Sequence, residues 1–153
     1  ADALTHFVSR PFRVSRLRDR MGIRLEPEAG PLPAEAGLRI LSDAVCPGDI
    51  QIGGDGMPTV LMADHQPTGG YPRIGTVIGA DLPALAQVPT GAEIALVPTD
   101  IDEAVAARAR LAAELEALPR RLEPLLRDPA DMPDLLSYNL IDGVTNGDTD
   151  ELD

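Results

Sequence analysis

The chain of 153 residues contains no lysine, and all thirteen of its basic residues are arginine. Without lysine there is no Schiff-base chemistry and no P-loop of the GxxxxGK[ST] form. The chain also has no residue that could carry covalently attached biotin. A single cysteine, Cys46, excludes an internal disulfide and any CxxC zinc arrangement. Beside Pro47-Gly48 it reads as a small packed residue. Only His6 and His65 are present, without HExxH or His-x-His spacing, so a protein-built zinc or iron site is not expected. No apolar run approaches the roughly 18 to 20 residues of a membrane span, and no signal core opens the chain, so the expected location is cytoplasmic. Positive charge is scarce: the formal net charge is −12, which argues against a nucleic-acid phosphate partner or an anionic membrane surface.

What basic charge exists is concentrated early, at Arg10, Arg13, Arg16, Arg18, Arg20 and Arg24. The alternation in "FRVSRLRDRMGIRL" predicts a strand, with Val14, Leu17 and Ile23 at apolar positions. Its arginines form either a solvated outer face or a receiver for an anion. "EPEAGPLPAEAG" reads as a loop. From Leu38 to Val97 short apolar runs recur about every ten residues as "LRIL", "DIQIGG", "TVLM", "GTVIG" and "EIALV". Turn signals separate them at Pro47-Gly48, Gly53-Gly54-Asp55-Gly56, Gly69-Gly70 and Thr90-Gly91. Such spacing predicts a mainly β barrel or sandwich rather than a parallel α/β sheet. "ADLPALAQ" predicts a short helix with Asp81 as N-cap. A longer helix starts at Thr99-Asp100 with the two halves of a capping box, Asp100 and Glu103, and Pro119 ends or kinks it. A shorter helix is expected from Arg121 to Arg127. The expected organisation is a β-barrel over 1–98, a helical extension over 99–128 and a C-terminal segment over 129–153 with a frayed acidic tail.

The densest chemistry lies in "MADHQPTGGYPRIGTVIGADLP", Met62 to Pro83. Gly69-Gly70 permits unusual backbone conformations and close approach of a ligand, while Pro67 and Pro72 stiffen its flanks. Asp64 offers a base or a substrate orienter, Gln66 an amide, Thr68 a hydroxyl, Tyr71 a phenol and Arg73 a fork for a carboxylate or phosphate. That inventory suits an amide, a ureido group or a carboxylated intermediate. The same Pro-Thr-Gly-Gly-Tyr-Pro run also suits a plain turn between strands. Gly53-Gly54-Asp55-Gly56 lacks a following helix and reads as a hairpin turn rather than a nucleotide loop.

Three blocks in one order, "DRMGIRLE" at Asp19 to Glu26, "GDIQIGGDGMPTVLMADHQPTGGYPRIGTVIGADLPALAQ" at Gly48 to Gln87 and "NLIDGV" at Asn139 to Val144, resemble the C-terminal half of the allophanate hydrolase subunit 2 family. That family includes KipA, the C subunit of 5-oxoprolinase and part of the carboxyltransferase region of urea carboxylase. The resemblance implies a cyclophilin-like β-barrel with a C-terminal helical extension, as one half of a two-barrel subunit. It implies a partner of the allophanate hydrolase subunit 1 or KipI type, with a lactam-utilisation subunit in the oxoprolinase relatives. It further implies a complex that uses ATP to open 5-oxoproline to glutamate. Biotin-dependent carboxyl transfer, or a non-catalytic regulatory module of the KipA kind, is the alternative. Asp64, Gln66, Thr68, Gly69, Gly70, Tyr71 and Arg73 match the strongest motif, and Gln51 and Arg20 fall in the other shared stretches. Asp64 and Gln66 are the catalytic candidates, with Arg73 or Arg20 holding an anionic group. His65 and Pro67 depart from the usual residues of the stretch. The family's N-terminal half has no counterpart here, so the piece is expected to be inactive alone and to self-associate through a bared interface.

Overall fold

A computed structural model of the chain describes residues 3–32, 41–123 and 129–137. The "LRIL" run falls largely outside them, as do "NLIDGV" and the acidic tail. Two compact units divide at Glu116 and Ala117.

The first unit begins with a short helix, α1 (Ala3–Val8), followed by strands β1 (Phe12–Arg18) and β2 (Gly22–Pro27). The single strand expected from "FRVSRLRDRMGIRL" is therefore a hairpin. Its turn is built by Asp19, whose Oδ1 accepts the backbone N–H groups of Met21 at 2.8 Å and Gly22 at 3.0 Å. An aspartate bonding the backbone two and three residues on offers the chain an alternative to continued extension. There follow β3 (Asp43–Ala44), β4 (Asp49–Ile52), β5 (Pro58–Leu61), β6 (Thr68–Gly69), β7 (Arg73–Thr76), the helix α2 (Leu82–Gln87), β8 (Glu93–Ile94) and the helix α3 (Ile101–Ala117). Six strands form an antiparallel sheet in the order β7-β4-β5-β2-β1-β8, and β3 pairs with β6 separately. Because β7 and β8 are its two edges, the sheet is a curled half-barrel, and the mainly β class with a following helix is as expected.

Strand periodicity assigns the two faces. Directly opposed residues of neighbouring strands share a face. Ile23 opposes Val60, and Val60 opposes Ile50, giving an apolar row. One residue along each strand, Arg24 opposes Thr59, Thr59 opposes Gln51, and Gln51 opposes Arg73, giving a polar row on the other face. A slip of one residue would exchange the rows, so burial of the first fixes the position of the second.

The apolar row joins Val14, Leu25, Phe12 and Phe7 in the core, and the rings of Phe7 and Phe12 lie 4.9 Å apart at 49°. Leu85 of α2 closes the cluster. Arg18 donates to the carbonyls of Ala86 and Val88, tying β1 to the end of that helix. Asp81 precedes α2 as expected but makes no side-chain cap bond. At α3 the cap is made, the Glu103 N–H donating to Asp100 Oδ1 at 2.8 Å, whereas the Glu103 carboxylate accepts from the Thr99 hydroxyl instead of returning to the cap residue. No residue of α3 is buried. In the second unit Leu118–Arg121 is a single 3-10 turn rather than the start of a second helix, since Pro119 withholds an amide donor. The remainder of that expected helix, 124–128, lies outside the described residues.

Leu25 is fully buried whereas Ile101 is 81% exposed. Leu25→Ala should lower unfolding stability by about 2 to 5 kcal/mol, and Ile101→Ala should change it by less than about 0.5 kcal/mol. Chemical denaturation of the two variants beside the parent checks this, and equal midpoints would show that the core has been misplaced.

Candidate functional site

The polar row opens onto a groove of about 840 Å³ whose walls come from β1, β2, β4 and β5 together with the turns that join them. Gln51 is part of its lining and is only 4% exposed, yet its Nε2 has no hydrogen-bond partner among the described residues. A buried, unpaired amide donor costs on the order of 1–3 kcal/mol, and natural structures retain few such groups. Gly69 explains how the amide is seated, because a Cβ at that position would fall on Gln51 Nε2. The glycine is thus required for close approach of a side chain from β4. Gly69 and Gly70 are not among the glycines with positive φ, so conformational freedom is not their contribution.

Gln66 and Tyr71 also line the groove, and Tyr71 is 42% exposed. Thr68 and Gly69 form β6, paired to Ala44 and Asp43, so backbone pairing holds the first half of the loop. Asp64 and Arg20 face each other as an exposed bidentate pair, Arg20 Nε to Oδ2 at 2.8 Å and Nη2 to Oδ1 at 3.3 Å. The Asp64 N–H also donates to the Arg20 carbonyl at 2.9 Å. The pair sits one residue from Asp19 and Met21, which line the groove. His65 is half-buried and turns its Nδ1 to the Gln66 carbonyl at 2.6 Å.

Arg73 is placed differently from the clamp envisaged in the sequence. Its Nη1 donates at 2.8 Å to Asp49 Oδ2, a carboxylate that is 2% exposed as a residue. The same Oδ2 accepts the Cys46 N–H at 2.8 Å, and Oδ1 accepts the Thr76 hydroxyl at 2.7 Å. Burial alone would raise the Asp49 pKa, but the Cys46 N–H, the Thr76 hydroxyl and Arg73 together lower it below its ordinary value. The same contact, first through its hydrogen bond and then through charge, raises the Arg73 pKa. This network ties β4 to β7 and to the Cys46 turn, and so holds Gln51 two residues further along β4. Nothing in the sequence pattern singled out Asp49. Its signal is a carboxylate directly ahead of the apolar "IQI" and behind Pro-Gly. Cys46 itself is exposed rather than packed, since its N–H and not its thiol is what the turn uses.

Gly53-Gly54-Asp55-Gly56 is the hairpin turn expected, closed by the Gly53 N–H to the Met57 carbonyl at 3.1 Å with Gly56 at φ 75°. Asp55 pairs with Arg24 across the groove. Burial, the largest single influence, raises its pKa, but the Met57 N–H and Arg24 together outweigh that and lower it. Among the described residues no group of three or more His, Cys, Asp or Glu side chains is arranged to hold a metal ion. No described helix is long and apolar enough to cross a membrane.

The chain matches the carboxyltransferase domain family, subdomains A and B, over residues 1–98. It belongs to that family. The C subunit of 5-oxoprolinase from Escherichia coli (strain K12) is 40% identical over 112 residues, covering 73% of this chain and 36% of that one. The corresponding 5-oxoprolinase C subunit of Haemophilus influenzae is 41% identical over 102 residues, 67% of this chain and 32% of that one. The chain therefore spans about a third of the length of these carboxyltransferase-family relatives. The crystal structure of Kluyveromyces lactis urea carboxylase superposes with a TM-score of 0.61 at 24% identity, over 84% of this chain and 12% of that one. At that identity the likeness speaks to the fold.

The Asp49 network gives a pH signature. A carboxylate whose folded pKa is depressed adds stability above its unfolded pKa, ordinarily 3.8, and loses it as pH falls through the folded value. Unfolding stability of the parent should therefore fall between about pH 5 and pH 2 more steeply than that of Asp49→Asn. Parallel acid limbs in denaturant titrations of the two proteins would contradict it.

Proposed function

We propose that the chain is part of a subunit of an ATP-dependent amide-ring hydrolase complex of the 5-oxoprolinase type, opening 5-oxoproline to glutamate. The observation that carries this reading is the 40% identity to a 5-oxoprolinase C subunit across nearly three quarters of the chain. The groove agrees with it chemically. Ring opening adds water to a lactam carbonyl and releases the nitrogen as an amine, so the site must grip a neutral amide. Gln51 Nε2 is a donor without an acceptor, and a lactam carbonyl is such an acceptor. Gln66 and Tyr71 supply further polar contacts along the groove, with Thr68, Gly69 and Gly70 forming the loop behind Gln51. Asp64, oriented by Arg20, is the proposed base or substrate orienter, with Gln66 beside it. Arg73 serves by holding Asp49 and thereby β4, rather than by meeting an anion.

In this proposal ATP belongs to the complex. The chain has no lysine, and the six-residue α2 carries Asp81 at its start, where a phosphate would be repelled. In this reading residues 1–98 are the barrel half of the subunit, and α3 begins the helical extension that follows it. The partners are a subunit of the allophanate hydrolase subunit 1 or KipI type and a lactam-utilisation subunit, and the isolated piece self-associates.

The family description and the urea carboxylase fold favour one second reading, a carboxyltransferase domain. The unpaired Gln51 amide fits a ureido carbonyl as well as a lactam. Gln51 and Gln66 would then hold the ureido ring of carboxylated biotin, which would supply the carboxyl group for the acceptor amide and leave as free biotin.

The test reconstitutes the full-length parent subunit with its partner subunits and follows glutamate formation from 5-oxoproline and ATP, with and without avidin. Equal glutamate release in both is expected, and Asp64→Asn should lower turnover at least about tenfold. Avidin-sensitive ATP turnover with urea and no glutamate would replace the hydrolase by the carboxyltransferase. Tight association of the subunits with no turnover would leave only the regulatory, KipA-like role.

A further inference from the structure

Among the described residues five arginines stand on or beside the groove, and four are already engaged. Arg18 donates to the Ala86 and Val88 carbonyls, Arg24 to Asp55, Arg20 to Asp64 and Arg73 to Asp49. Arg16 lines the groove from β1, is exposed, and makes no hydrogen bond or ion pair with the described residues.

An exposed arginine alone is ordinarily a solvated side chain. Three features set this one apart. It lies where the β1–β2 register breaks, between Val14 and Arg18, and such bulges re-aim side chains out of the regular alternation. The groove's two carboxylates are occupied, Asp55 by Arg24 and Asp19 by the N–H groups of Met21 and Gly22. Against Asp19 and Asp55 the described lining carries Arg16, Arg18 and Arg24, an excess of one positive charge in a chain of net charge −12. Finally, the same groove contains the unpartnered, 96% buried Gln51, a neutral donor. A ligand that satisfies both must offer a carbonyl oxygen to Gln51 and an anion to the planar fork of a guanidinium.

We propose that Arg16 is the carboxylate anchor of this groove, the residue that selects amides and lactams bearing a carboxylate over neutral ones such as urea. This rests on the lactam-hydrolase reading for its substrate class but not for its evidence of binding. A neutral amide would leave Arg16 without a partner, and losing a charge-assisted bidentate contact weakens binding by about tenfold or more. Arg16 is exposed on a strand, so replacing it leaves the core untouched.

The experiment titrates 5-oxoproline and 2-pyrrolidinone, the same ring without its carboxylate, into the full-length subunit in complex with its partner, for the parent, Arg16→Gln and Arg16→Lys. The parent should bind the acid at least about tenfold more tightly than the neutral lactam. Arg16→Gln should lose that preference while keeping its affinity for the neutral ring, and Arg16→Lys should restore part of it. An unchanged preference in Arg16→Gln, no preference in the parent, or no binding of either ring overturns the proposal. A preference that depends on Arg16 in a complex that forms no glutamate would sink the hydrolase reading and leave the anchor standing. Glutamate formation with an unchanged KM for 5-oxoproline in Arg16→Gln would sink the anchor alone.

Discussion

The register between β4 and β5 is the constraint from which the rest of the site follows. Ile50 must meet Val60 in the core, and once it does, Gln51 is carried to the opposite face beside Thr59. The hydrophobic effect thereby positions a polar group that it does not itself stabilise. The cost appears at Gln51 Nε2, which is buried without a partner among the described residues, and Gly69 is the residue that makes room for it. An unsatisfied donor held on a packed strand is preorganised, because the reorganisation that a ligand would otherwise require has been met during folding.

The charges divide into two kinds of work. Asp49, Arg73 and Thr76 act inward, joining β4 to β7 and holding the carboxylate below its ordinary pKa although burial alone would raise it. Arg20 with Asp64, and Arg24 with Asp55, act at the solvent side. Such exposed pairs add little stability in themselves. Their consequence is electrostatic, since they cancel most of the charge around the groove and leave Arg16 as a cation without a counter-ion among the described residues.

Much of the fold was legible because it rests on periodicity. The apolar runs "DIQIGG" and "TVLM" hold β4 and most of β5, "GTVIG" overlaps β7 only at Gly75 and Thr76, and Asp100 with Glu103 marks the start of α3. The hairpin at Asp19 was hidden because arginines continue the alternating pattern straight through the turn. Only the side-chain bond from Asp19 distinguishes it. Within the site, residue types were legible but their pairings were not. Gln51 and Tyr71 line the groove, whereas Arg73 turns away to a buried carboxylate 24 positions earlier. Register across several strands decides that choice, and no local window contains it. The same limit concealed how Gly69 acts, since the sequence offers it as a permissive loop residue and its contact comes from a different strand.

The central claim is that the unpaired Gln51 carboxamide grips the amide of the substrate. The side-chain 15N–1H signals of Gln51, assigned by their loss in Gln51→Met, would be followed as 5-oxoproline is added to the full-length subunit in complex with its partner. The account predicts that these signals shift and saturate with ligand while the Gln87 side-chain amide, which is exposed and bonded to Pro83, stays in place. Saturable binding that leaves the Gln51 signals unmoved would contradict it.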